Sequence, residues 1–186
     1  MYPEEVVREE TIGDYVVKVI VDPCQPNPRE WDHLGTMVFF GEYHHKNEEE
    51  FSSLESFLEW EKEEKPIILE LRVSSQGDRI VGEEYIGASE PDGFIYVSRE
   101  AARKEFGRNY RKRALALLEC ELKILSYCLA GEVYGYQVWH NGEEIDSCYG
   151  FIGESDYALL EGILSAKSAQ ARAQTGEVFA NLCFAL

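Results

Sequence analysis

An α+β fold, with a mainly antiparallel sheet and helices packed on one face of a single domain spanning 1–186, is what this sequence predicts. Three observations carry the prediction. Asn141-Gly142 sits between two aromatic and β-branched runs, the composition of a two-residue type I′ hairpin turn. The stretches 47–65 and 109–131 carry apolar residues at helical spacing. The order of elements is not a strict β-α-β-α alternation, which argues against a doubly wound parallel sheet.

From the N-terminus, DYVVKVIVD (14–22) reads as a strand that leaves into PCQPNP, where three prolines forbid further regular structure. LGTMVFFG (34–41) is the next strand. NEEEFSSLESFLEWEKEEK (47–65) is an amphipathic helix with Asn47 as its expected cap. Phe51, Leu54 and Leu58 form its stripe, which Phe57 and Trp60 widen. Pro66 stops it, and PIILELRV (66–73) reads as a buried strand.

Residues 74–94 are turn-rich with a short strand or arm in the middle, and FIYVS (94–98) is a strand. Ser98 then caps a helix that ends at Gly107. The longest helix, 109–131, aligns Leu115, Leu118, Leu122, Leu125 and Leu129 and stops at Gly131. The hairpin occupies 132–153, and a helix capped by Ser155 runs over 155–173. The compositionally thin SAKSAQARAQTG (165–176) leads to EVFANLCFAL (177–186), expected as a last strand or a short docked tail.

The net charge of −17 makes a nucleic acid or an anionic membrane an unfavourable direct ligand for most of the surface and favours a basic partner. No run approaches the roughly 18 consecutive apolar residues of a membrane span. MYPEEVVREE lacks a basic region followed by an apolar one, so a cytoplasmic location is expected. The five cysteines (24, 120, 128, 148, 183) form no CxxC pair and read as reduced, small core residues.

Catalytic and metal chemistry find little support. His44 and His45 are adjacent and point apart, and His33 with Asp32 completes no ligand spacing, so neither a metal nor a cofactor is expected. Cys148, Asp146 and His140 could be imagined as a triad, but a carboxylate beside a thiol raises its pKa and opposes activation. No phosphate-binding glycine loop is present. The basic run RKEFGRNYRKR (103–113) could grip an anion, though in so acidic a chain pairing with its own carboxylates, within the chain or across a dimer, is the expected use.

The acidic helix departs from what stability alone favours. Glu48, Glu49 and Glu50 complement the helix dipole, but Glu61, Glu63 and Glu64 crowd the C-terminal turn, where each carboxylate costs roughly 0.3–1 kcal/mol. Glu48, Glu55 and Glu59 lie opposite the apolar stripe, three or four residues apart. Such a row approximates the charge spacing of nucleic-acid phosphates; a plainly solvated face is the alternative. The loop NPREWDH (27–33) likewise has two readings. Either Arg29 bridges Glu30, Asp32 or a distant carboxylate while Trp31 packs under the sheet edge and Asn27 or Asp32 caps the backbone, or the loop is a site.

NPREWDHLGTMV, GFIYVSREAARKEFG and GEVYGYQVW with GEEIDSCYGFIG, in that order between residues 14 and 153, resemble a family of small acidic proteins known only as hypothetical proteins of bacteriophages, prophages and mobile plasmids. The family-motif residues singled out are Asn27, Arg29, Glu30, Trp31, Asp32, Asp146 and Cys148. Past LGTMV the family carries a basic-aromatic stretch ending in Gly-Asp, whereas this chain has FFGEYHHKNEEE, so a role resting there does not transfer. The resemblance implies carriage on a mobile element and brings no assigned activity.

By analogy with other small acidic proteins of mobile elements, the expectation is a non-enzymatic inhibitor of a host defence protein. Its target would be a nuclease with a basic groove (a CRISPR effector or restriction enzyme), met through Glu48, Glu49, Glu50, Glu55, Glu59, Glu61, Glu63 and Glu64, and a homodimer is compatible with this. The alternatives are a ligand-binding protein or enzyme with a site at Asn27–His33 and Asp146–Gly150, or a protein that binds a basic product of its own element.

Overall fold

The computed structural model describes residues 5–40, 51–74, 76–77, 79–84 and 91–184, with the side chains of 84 and 176–184 left out. The fold is α+β, with eight strands and four helices among the described residues, and every strand pairing is antiparallel. The strands form two four-stranded sheets rather than one, in two compact units: Met1–Pro26 with Gly131–Leu186, and Asn27–Ala130.

The unit built from the chain ends has the strand order β1-β2-β7-β8, with β1 Val6–Ile12, β2 Tyr15–Val21, β7 Val133–His140 and β8 Glu143–Ile152. The expected hairpin is present: Asn141 and Gly142 both take positive φ, 53° and 83°, as a type I′ turn requires. Strand β1 had not been read from the sequence. Its residues from Val6 to Thr11 are all exposed, so no burial alternation marks it. The signal lay in Gly13-Asp14, a glycine-first two-residue turn between Ile12 and Tyr15.

One face of this sheet is covered by α4, Ser155–Phe184, with Tyr15, Val17, Tyr136, Val138 and Ala166 in the core. Ala158 and Ala166 are fully buried and Gly162 lies between them, so the helix seats close to the strands. A Cβ at Gly162 would stand 2.6 Å from Val17 Cγ1. The thin 165–176 stretch is helical, and the expected strand or tail at 177–186 is corrected, since α4 continues to Phe184. Alanine is the strongest helix former and a lone Gly176 costs only about 1 kcal/mol, too little to stop the helix.

The second unit has the order β3-β6-β4-β5, with β3 Thr36–Phe39, β4 Ile67–Val73, β5 Ile80–Glu84 and β6 Gly93–Val97. On one face α2 (Arg99–Phe106) and α3 (Tyr110–Leu129) close a core of Met37, Leu69, Leu71, Ile95, Leu118 and Leu122. On the other, α1 (Leu54–Glu64) covers Val38, Phe94 and Tyr96. Helices therefore flank both faces of this sheet, because successive residues of its central strand β6 are apolar and all five are buried.

Helix α1 begins at Leu54 rather than at 47, where the sequence had placed it. Ser53 and Ser56 form a reciprocal capping box that fixes the start, and residues 47–50 lie outside the described residues. Lys65, at φ 49°, ends it ahead of Pro66. Two further caps stand as expected: Ser98 accepts from the Ala101 N–H at 3.1 Å, and Gly107 closes α2 at φ 60°. The Ser155 cap is corrected, since Ser155 is itself the first residue of α4.

Candidate functional site

The acidic face follows from how α1 is pinned. Phe57 is wholly buried and stacks on Phe94 at a centroid distance of 4.6 Å, while Trp60 leans on Tyr96 at 4.8 Å. With that side fixed, the 100° step per residue turns Glu55 and Glu59 directly away from the sheet. Glu55, Glu59, Glu63 and Glu64 are exposed and Glu61 is half-buried. None of these five carboxylates forms an ion pair among the described residues. A hydrogen bond from the Ser53 side chain, followed by one from its own backbone N–H, holds the Glu55 carboxyl below the usual range, so it is charged at neutral pH. Glu48, Glu49 and Glu50 lie outside the described residues, as do His44 and His45.

The basic run 103–113 does not neutralise this face. It lies on α2, α3 and their turn, across the sheet from α1. Arg103, Lys104, Arg108, Arg111, Lys112 and Arg113 are all exposed. Arg103 sits 5.0 Å from the Tyr110 ring centroid, and none of the six pairs with a carboxylate among the described residues. The intramolecular pairing expected from the sequence is therefore corrected. Both patches sit where helix packing leaves them without ion pairs among the described residues.

The Asn27–His33 loop is clamped from α3. Asn27 caps a short 3-10 turn, Pro28–Glu30, accepting from the Arg29 N–H at 3.1 Å and donating to Glu30 at 3.2 Å. Arg29 reaches a distant carboxylate, Glu121, at 3.0 Å, and its other guanidinium nitrogen donates to the Gly35 carbonyl. Glu121 also accepts from the Leu34 N–H at 2.8 Å and the Gly35 N–H at 3.2 Å. Nothing in the sequence marked Glu121. Trp31 does not pack under the sheet edge, being 47% exposed. The clamp fixes it beside a cleft of about 320 Å³ lined by Leu34, Leu117 and Ile124, with Asp32 and Glu105 among its polar walls.

Asp146 and Cys148 lie on β8 in the other unit. Asp146 accepts from the Tyr136 hydroxyl at 3.3 Å and from Ser165 of α4. Burial, then the Asp146 charge, raises the Tyr136 phenol, which stays protonated and donating. Cys148 is opposite Tyr136 in the strand register while His140 is opposite Glu143. Four residues of strand separate them, about 13 Å, so no Cys–His couple forms. His140 instead stacks on Tyr15 at 4.4 Å. The two segments proposed as one ligand site thus fall in different units. Among the described residues no group of three potential ligands could hold a metal ion.

The cysteines depart from the core reading. Cys24, Cys120 and Cys148 are exposed, and of the described thiols only Cys128 is buried, with its pKa pushed up by desolvation. On α3, Cys120 falls off the leucine stripe toward the cleft. Mass mapping after a short thiol-reagent pulse at pH 8 should find Cys24, Cys120 and Cys148 modified and Cys128 protected until the protein is unfolded. Early modification of Cys128 would contradict this packing.

No helix among the described residues is long and apolar enough to cross a membrane. Comparison with protein-family models, curated proteins and solved structures finds no match.

Proposed function

We propose that this chain is a non-enzymatic inhibitor carried by a phage or other mobile element, which occupies the basic nucleic-acid groove of a host defence nuclease. One observation carries the reading: Glu55, Glu59, Glu63 and Glu64 of α1 are exposed and without an ion pair among the described residues. Carboxylates that stabilised the fold would be ion-paired or sit at the helix N-terminus; Glu63 and Glu64 lie in the last turn and form no ion pair with the neighbouring Lys62 and Lys65 among the described residues. Opposed to a row of lysines and arginines, they would release the ions condensed around both surfaces, as phosphates do. Purified CRISPR effectors and restriction enzymes, titrated with the protein at rising salt, test this. Binding that weakens steeply with salt and displaces nucleic acid is expected; no salt-sensitive binding to any of them removes the proposal.

The cleft beside Trp31 supports a second reading, a site for an organic cation. A half-exposed indole face attracts a quaternary or guanidinium cation, and Asp32 and Glu105 add negative charge with no ion pair among the described residues. Tetramethylammonium chloride should shift the Trp31 indole resonance saturably, and Asp32→Asn with Glu105→Gln should abolish saturation. A response no different from that to sodium chloride discards this reading.

A further inference from the structure

Helix α4 is apolar on two sides. Its sheet side is accounted for by Ala158, Gly162 and Ala166, but Tyr157, Leu160 and Leu164 are 65%, 55% and 49% exposed. They are spaced i, i+3, i+7, so at 100° per residue they form one stripe on the face turned from the sheet. The stripe continues C-terminally as Ser168 and Ala171, both with small side chains. Over residues 154–174 the charges are segregated along the helix, Glu177 lying beyond this stretch. Glu154 just before it, Asp156 and Glu161 mark the N-terminal part; Lys167 and Arg172 mark the C-terminal part. Of these, only Asp156 is in an ion pair among the described residues, with Arg8.

We infer that this face is the contact through which two copies of the chain associate, their α4 helices packed antiparallel. The argument is self-complementarity, which a two-fold contact demands because the same patch meets itself. A two-fold axis beside Leu164 sets Tyr157 of one copy over Ala171 of the other and Leu160 over Ser168. Bulk then meets small residues and the three large side chains leave water together. The same arrangement carries the acidic end of each helix to the basic end of its partner, whereas a parallel one would stack like charge on like. The overlap, 154–174, is about 30 Å of helix. A single helix pair buries less than the roughly 800 Å² per partner of a standard interface, and two chains of charge −17 repel, so the dimer is weak and reversible.

Sedimentation equilibrium of the whole chain, from about 1 μM to 1 mM, the range over which small interfaces dissociate, reads the association directly. Wild type should rise from one chain mass toward two with increasing concentration. Leu164→Lys sets two cations against each other at the axis and should remain a monomer with an unchanged circular dichroism spectrum, the side chain being half-exposed. Lys167→Glu/Arg172→Glu makes the helix acidic throughout and should lower self-association at least tenfold. Glu154→Lys/Glu161→Lys makes it more basic, and mixing the two variants should recover a heterodimer. A wild type of constant single mass, a dimer indifferent to Leu164→Lys, or mixed variants that fail to pair would each overturn the inference.

Discussion

Reversing Glu55, Glu59, Glu63 and Glu64 to lysine is expected to weaken binding to a basic nuclease groove by a hundredfold or more while leaving the fold intact. Each exposed charge contributes modestly to an ion pair, and reversal replaces that attraction with repulsion of similar size, so four reversed sites on one face compound to the expected two decades in affinity. The loss should fall mainly on the association rate and shrink at high salt. The fold should survive because α1 is held by its opposite side, through Phe57, Trp60 and the Ser53–Ser56 box. Lysines at 63 and 64 even relieve the C-terminal dipole, offsetting the loss of Glu55 in the first turn. Glu143→Lys/Glu144→Lys on β8, which changes charge on exposed residues elsewhere, is the control. If it weakens binding as much per charge as the α1 variant, net charge and not a face is responsible. The proposal of a dedicated surface then fails.

What the sequence disclosed was whatever local chemistry determines. Asn141-Gly142, Ser98, Gly107 and Pro66 act on their immediate neighbours, so the hairpin, the start and end of α2 and the stop of α1 could be read before any contact was known. Strand β1 was hidden because an edge strand whose residues are nearly all exposed owes its place to pairing with β2 rather than to burial, and pairing leaves little periodicity in composition. The length of α4 was hidden by the habit of equating thin composition with loops. Ala166 and Ala169 there pack into the core against the sheet. The site divides the same way. Outward Glu55 and Glu59 follow from helical spacing and stand where it puts them, whereas Glu61, about one turn past the buried Phe57, is half-buried. Glu121 depends on a contact 92 residues distant in sequence from Arg29, and the exposure of Trp31 depends on that contact in turn. No pattern within a window of the chain encodes it.

That long-range contact gives the largest stability effect expected of a single residue. Glu121→Ala should destabilise the Asn27–Ala130 unit by about 3 kcal/mol, the lower end of what breaking a buried pair costs. The side chains of Arg29 and Glu121 are 14% and 12% exposed, and the cleft gives water some access, which argues against the upper end. The loss is large because one carboxylate serves three groups at once. Arg29 keeps its charge and loses the Glu121 carboxylate, and the Leu34 and Gly35 N–H groups lose their acceptor just where the chain enters β3. Gly35 cannot withdraw to compensate. A Cβ at that position would already lie 2.7 Å from Ile95, so the backbone is packed tight against the core. Glu121→Gln keeps an acceptor oxygen while removing the charge and should lose roughly half as much. Arg29→Met with Glu121→Leu removes both charges and should recover part of the loss, since an apolar pair of similar volume is often neutral. Urea unfolding of the four proteins reads these differences. A change below about 0.5 kcal/mol for Glu121→Ala, typical of an ordinary surface substitution, would mean the loop holds itself through Asn27 and Pro28 alone. Trp31 would then owe its position at the cleft to the turn, and losing the clamp would leave the proposed cation site working.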